Sequence, residues 1–106
     1  MSQRSNRCDF TPRVRREILQ RDNNSCVICN MGFKPTADHR YEIAHFIPRS
    51  AGGLGIPQNA VVLCKTHHMA MDNSDERVMW LGVVKKYLKS KYPGWDDMRL
   101  VFRKGG

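Results

Sequence analysis

Four residues of the 106-residue chain carry the spacing of a metal knuckle. Cys26-Val-Ile-Cys29 is a tight pair, and Cys64-Lys-Thr-His67 repeats its gap with one cysteine exchanged for histidine. Thiolates and a neutral imidazole are borderline-soft donors that suit Zn2+, and four of them close a tetrahedron with no position left for a substrate. The expected ion is therefore structural, tying together two distant stretches of a chain too short to build a large core. His39 competes with His67 as the fourth ligand. Cys8 is left over and is placed outside the site. Two disulfides are the other use for four cysteines, but the start, MSQRSNRCDF, has no apolar middle of the kind a secretory signal needs. A reducing, cytoplasmic setting is expected instead.

The chain reads as one domain, residues 1–106, at 41% hydrophobic and 26% charged residues. No apolar run approaches the roughly 20 residues that a membrane span requires, so no membrane partner is expected. Lys and Arg number 18 against 10 Asp and Glu, a net charge of +8. That surplus favours a polyanionic partner, nucleic acid first. The charge is concentrated in two arms, while residues 23–74 hold nearly all the His, Cys and Asn. A chemically busy centre lies between two basic flanks.

The elements that must position this centre are short. Thr11-Pro12 is a helix start, with a hydroxyl that caps and a proline tolerated at the first helical position. A basic helix over about 12–22 follows, with Val14, Ile18 and Leu19 as its apolar stripe. Asp22-Asn23-Asn24 should end it before the Cys26 knuckle. Tyr41–Phe46 and Ala60–Lys65 read as strands, joined by a glycine- and proline-rich loop. A helix from about Thr66 to Asn73 comes next. Ser74 then caps a further helix whose Val78, Leu81, Val84 and Leu88 share one face, within a C-terminal helical extension over about 75–106. Pro93-Gly94 ends that helix, and Leu100-Val101-Phe102 reads as a short strand or a packed tail. The fold class is α+β.

Onto these elements falls a second constellation: Glu42-Ile-Ala-His45-Phe-Ile-Pro48-Arg49, then Gly52-Gly53-Leu-Gly55, Asn59, Leu63-Cys64-Lys-Thr-His67-His68 and Asp72. A His three residues before Pro, a Gly-Gly loop, an Asn and a Cys-x-x-His-His resembles the HNH endonucleases, over about residues 16–73. The resemblance implies a small ββα-metal module with a structural zinc knuckle, flanked by basic helices. It makes His45 the general base, Asn59 the brace of the loop that orients it, and His68 a ligand of a catalytic divalent ion. Asp72 lies four residues after His68, on the same helical face, and can reach the same ion.

Many members of that family carry Asp or His just before the base, where this chain has Ala44. Asp72 is the replacement expected here, with Glu42, two residues back along the strand, as a further candidate. Arg49 and Lys65 are placed to contact phosphates. The resemblance thus implies a metal-dependent DNA endonuclease using Mg2+, Mn2+ or Ni2+ and leaving 5′-phosphate and 3′-hydroxyl ends. Phage packaging beside a terminase partner is one setting it suggests. A non-catalytic, zinc-stabilised DNA-binding module is the alternative, and Ala44 is the residue that speaks for it.

Overall fold

A computed structural model describes residues 7–101. Along the chain run α1 (Pro12–Arg21), α2 (Val27–Asn30), β1 (Tyr41–His45), β2 (Ala60–Cys64), α3 (Lys65–Asn73) and α4 (Arg77–Lys91). Single 3-10 turns occupy Arg49–Ala51, Pro57–Asn59 and Asp97–Arg99. Among the described residues no helix is long and apolar enough to cross a membrane.

Local chemistry explains most of the boundaries. Thr11 accepts a hydrogen bond from the Val14 amide at 3.2 Å, and Pro12 opens α1. Asn23 and Asn24 have φ of 57° and 53°, so α1 ends on left-handed residues that asparagine tolerates. β1 and β2 pair antiparallel, from Tyr41 opposite Cys64 to His45 opposite Ala60. β1 stops at His45, one residue short of the expected end, and β2 stops at Cys64 because Lys65 already opens α3.

The hairpin is the middle layer. Val61, Leu63 and Ala44 face Met71, Trp80, Val84 and Leu88, together with Val27 and Ile28 of α2. Ala60, Val62 and Ile43 face Ile18, with Val14 and Phe10 at the margin. Being covered on both sides, β2 is apolar throughout rather than alternating, as its sequence AVVLC requires.

Two expectations for the C-terminal part need correction. The buried face of α4 is Trp80, Val84 and Leu88, whereas Val78 is 80% exposed. The indole of Trp80 packs edge-on against His67 at 5.3 Å. Two residues correspond to about 200° around a helix, so burying Trp80 turns Val78 to the outside. Ser74 does not cap α4; its hydroxyl donates to the Ala70 carbonyl at 2.6 Å and closes α3. Of the two readings of the tail, the packed one fits: Leu100 is buried and Val101 makes a single antiparallel bridge with Gly53, while Phe102 lies outside the described residues.

A buried ion pair fixes the end of α1. Asp22 is 3% exposed; it accepts a fork of two bonds from Arg21, at 2.7 and 2.9 Å, and another from the Val62 amide at 2.8 Å. The Tyr87 hydroxyl donates to the same carboxylate. Arg21 also donates to the Pro57 and Ala60 carbonyls at 2.7 and 2.6 Å. One residue pair thus joins α1, the interstrand loop, β2 and α4. Burial works against the Arg21 charge, but Asp22 and Tyr92 outweigh it and hold the guanidinium firmly protonated. Burial, then the bond to Asp22, pushes the Tyr87 hydroxyl well above its usual range.

Candidate functional site

The knuckle residues meet. Cys26 Sγ, Cys29 Sγ, Cys64 Sγ and His67 Nδ1 all lie within 4.8 Å of one another. His67 Nδ1 is 3.4 Å from Cys26, 3.4 Å from Cys29 and 3.3 Å from Cys64, and Cys29 is 4.0 Å from Cys64. A tetrahedral zinc with bonds of about 2.3 Å to sulfur and 2.0 Å to nitrogen places its donors roughly 3.5–3.8 Å apart. The donor set and its spacing fit a structural ion such as zinc. His39 is excluded from the cluster: it is exposed and bonded to the Tyr41 hydroxyl at 3.1 Å.

Several contacts orient these donors. The Lys34 backbone bonds the His67 ring, and the Thr36 hydroxyl lies 3.2 Å from Cys64 Sγ. Burial lowers the His67 pKa, keeping the imidazole in the neutral form that a metal needs. Burial also pushes the Cys26 thiol up to about 12, a penalty on the thiolate that a divalent cation would reverse.

The second constellation surrounds the other end of the hairpin and the first turns of α3. His45, the last residue of β1, donates from Nε2 to the Cys8 carbonyl at 2.8 Å and stacks on Phe10 with ring centroids 4.2 Å apart. Burial lowers its pKa below 6.5; the Cys8 bond opposes this, while the charges of Arg49 and His68 push in the same direction as burial and Asp9 against it.

Asn59 is fully buried. Its side chain accepts from the Ile47 amide at 2.8 Å and donates to the Ile47 and Leu54 carbonyls at 3.1 and 2.9 Å. It clasps both ends of the loop that leaves His45. Gly53 is required in this clasp, because a Cβ there would lie 1.7 Å from the Ile47 carbonyl oxygen and 2.9 Å from the Asn59 amide.

His68 stands between two carboxylates. Its Nδ1 is 2.8 Å from Glu42, and its Nε2 is 3.4 Å from Asp72. Glu42 and Asp72 therefore address opposite nitrogens of the ring. A neutral imidazole that donates from Nδ1 to Glu42 presents a bare lone pair at Nε2, facing a carboxylate that also only accepts.

No protein-family model, curated protein or solved structure matches the chain. The geometry stands alone.

Of the expected phosphate contacts, Arg49 pairs with Asp9 at 2.7 Å, both about half exposed, and Lys65 opens α3. Ala44 is 1% exposed and packed in the main core. Two contributors escape a reading of the sequence. One is Asp38, which accepts from the Thr66 amide and hydroxyl at 3.0 and 2.8 Å and so fastens the start of α3 from outside. Arg40 first, then Thr66, holds that carboxyl well below the usual carboxylate range. The other is the Cys8 carbonyl, a backbone group that no side-chain pattern announces.

Proposed function

We propose that the protein is a metal-dependent DNA endonuclease of the HNH type, with His45 as general base. The observation that carries this reading is His68, flanked by Asp72 on one nitrogen and Glu42 on the other, on the helix that follows the hairpin bearing His45. A carboxylate on the outer nitrogen of a ligating histidine fixes its tautomer and raises its basicity. Glu42 takes that role, which leaves His68 Nε2 and Asp72 Oδ2 as the residues that would hold Mg2+, Mn2+ or Ni2+.

When bound, the divalent ion supplies positive charge for the phosphate oxygens and the departing 3′ oxygen. The chain's own groups do the rest. His45 Nδ1, left bare by the bond from Nε2, takes a proton from the attacking water. Asn59 keeps the His45–Leu54 loop closed around it. The positive charge of the two arms draws in the phosphate backbone with little regard to base sequence.

The test is supercoiled plasmid incubated with the protein in Mg2+, Mn2+ or Ni2+, wild type beside His45→Ala. Open-circle or linear DNA should form with wild type, and removing the base should slow it by about 10²–10⁴-fold. Equal cutting by both would refute His45 as base. A second reading, a zinc-stabilised DNA-binding module without catalysis, is favoured by Ala44, whose methyl side chain offers no donor at the position before His45. Plasmid binding without cutting in any of the three ions would select it.

A further inference from the structure

We propose that residues Arg7–Phe10 form a positioning strap for His45, holding its ring with the proton on Nε2 so that Nδ1 is the proton acceptor. The inference rests on the nuclease reading and adds to it a second element, remote in sequence, on which the base depends.

Four consecutive residues make four different contacts around the base. The Arg7 carbonyl accepts from the Gly55 amide at 2.8 Å. The Cys8 carbonyl accepts from His45 Nε2 at 2.8 Å. Asp9 pairs with Arg49 at 2.7 Å, and Phe10 stacks on the His45 ring with 26° between the planes. A carbonyl only accepts, so His45 Nε2 carries the hydrogen, and a neutral imidazole then has none on Nδ1. The half-exposed Asp9–Arg49 pair adds little stability by itself. The Cys8 side chain, 1% exposed, is the anchor that keeps the carbonyl aimed.

The loop after β1 is built to let the strap pass. A Cβ on Gly55 would lie 2.2 Å from the Asp9 carbonyl oxygen and 3.0 Å from that of Cys8. Only glycine allows the two backbones to run so close. Gly55→Ala therefore displaces the strap without touching His45, His68 or the knuckle.

The experiment is 15N NMR of the His45 ring together with steady-state cleavage, on wild type, Gly55→Ala, Phe10→Ala and Phe10→Tyr. Zinc content and circular dichroism identify any variant that has unfolded. Wild type should show a protonated Nε2 and a bare Nδ1. Gly55→Ala and Phe10→Ala should show mixed tautomers and a kcat lower by about 10–100-fold at little-changed KM, the scale expected when a catalytic group is misplaced by an ångström. Phe10→Tyr keeps the stack and should restore both. An unchanged tautomer and kcat in folded Gly55→Ala and Phe10→Ala would overturn the strap. If wild type cuts no DNA, the nuclease reading fails separately, and the nitrogen signals alone decide. Nε2–H in wild type that is lost in Gly55→Ala supports the strap, and Nδ1–H in wild type overturns it.

Discussion

Asn59 has no exposed surface and three hydrogen bonds, so its amide is matched to one amide and two carbonyls of the loop it closes. Asn59→Ala would leave those backbone groups buried without partners and should cost about 2–4 kcal/mol, read as a shift of the denaturant midpoint. The His45 base gives a second prediction. It accepts a proton only when neutral, and burial lowers its pKa from 6.5. Cleavage should therefore rise with pH along a limb centred below 6.5 and be level at neutral pH, in a pH–kcat/KM profile of wild type. Residue types and spacing alone bring out Cys26, Cys29, Cys64 and His67, whereas His45, Asn59, His68 and Asp72 stand out only through the resemblance to the HNH pattern. The partition of Glu42 and Asp72 between the two nitrogens of His68 depends on how β1 lies against α3, which no spacing encodes.

At the scale of elements, Arg21 and Asp22 do the joining. Asp22→Ala removes the carboxylate that balances a buried guanidinium and also the acceptor of the Val62 amide. Removing one partner of a buried pair costs about 3–5 kcal/mol, and the loss should appear in urea unfolding of Asp22→Ala. Arg21→Ala should be less severe than a lone charge deletion suggests, since Asp22 keeps the Tyr87 and Val62 donors. The starts of α1 and α3 and both strands are legible to within a residue, because capping residues, glycines and prolines act locally, whereas the one-turn α2 carries no such signal and α4 starts two residues after the expected position. Asp22 is legible only as a turn residue, since two of its partners, Val62 and Tyr87, lie 40 and 65 residues away. The face of α4 is not set by its sequence for a related reason. A 3.6-residue period admits either Val78 or Trp80 as the first buried position, and contact with His67 decides for Trp80.

Across the whole molecule, the Cys3His cluster binds the α2 knuckle to the end of β2 and the start of α3, and the main core gathers around it. The free energy of structural zinc in small domains, about 10–16 kcal/mol at neutral pH, is as large as the whole ordinary stability of a domain, about 5–15 kcal/mol. One zinc per chain is therefore expected by atomic absorption, and a strong chelator should abolish the cooperative melting transition seen by circular dichroism. Cys64→Ser should behave like the chelated protein. A transition unchanged by chelation would show that the cluster holds no structural metal. There is also a consequence for which length changes this fold can bear. His67 turns into the core and His68 outward toward Glu42, and adjacent residues on a helix differ by about 100°. One residue inserted between them would keep every metal donor of the knuckle yet swing His68 to another side of α3. Residues 64–68 must therefore be inherited as a block of fixed length, and the Thr36 and Asp38 contacts hold the preceding loop to the same register.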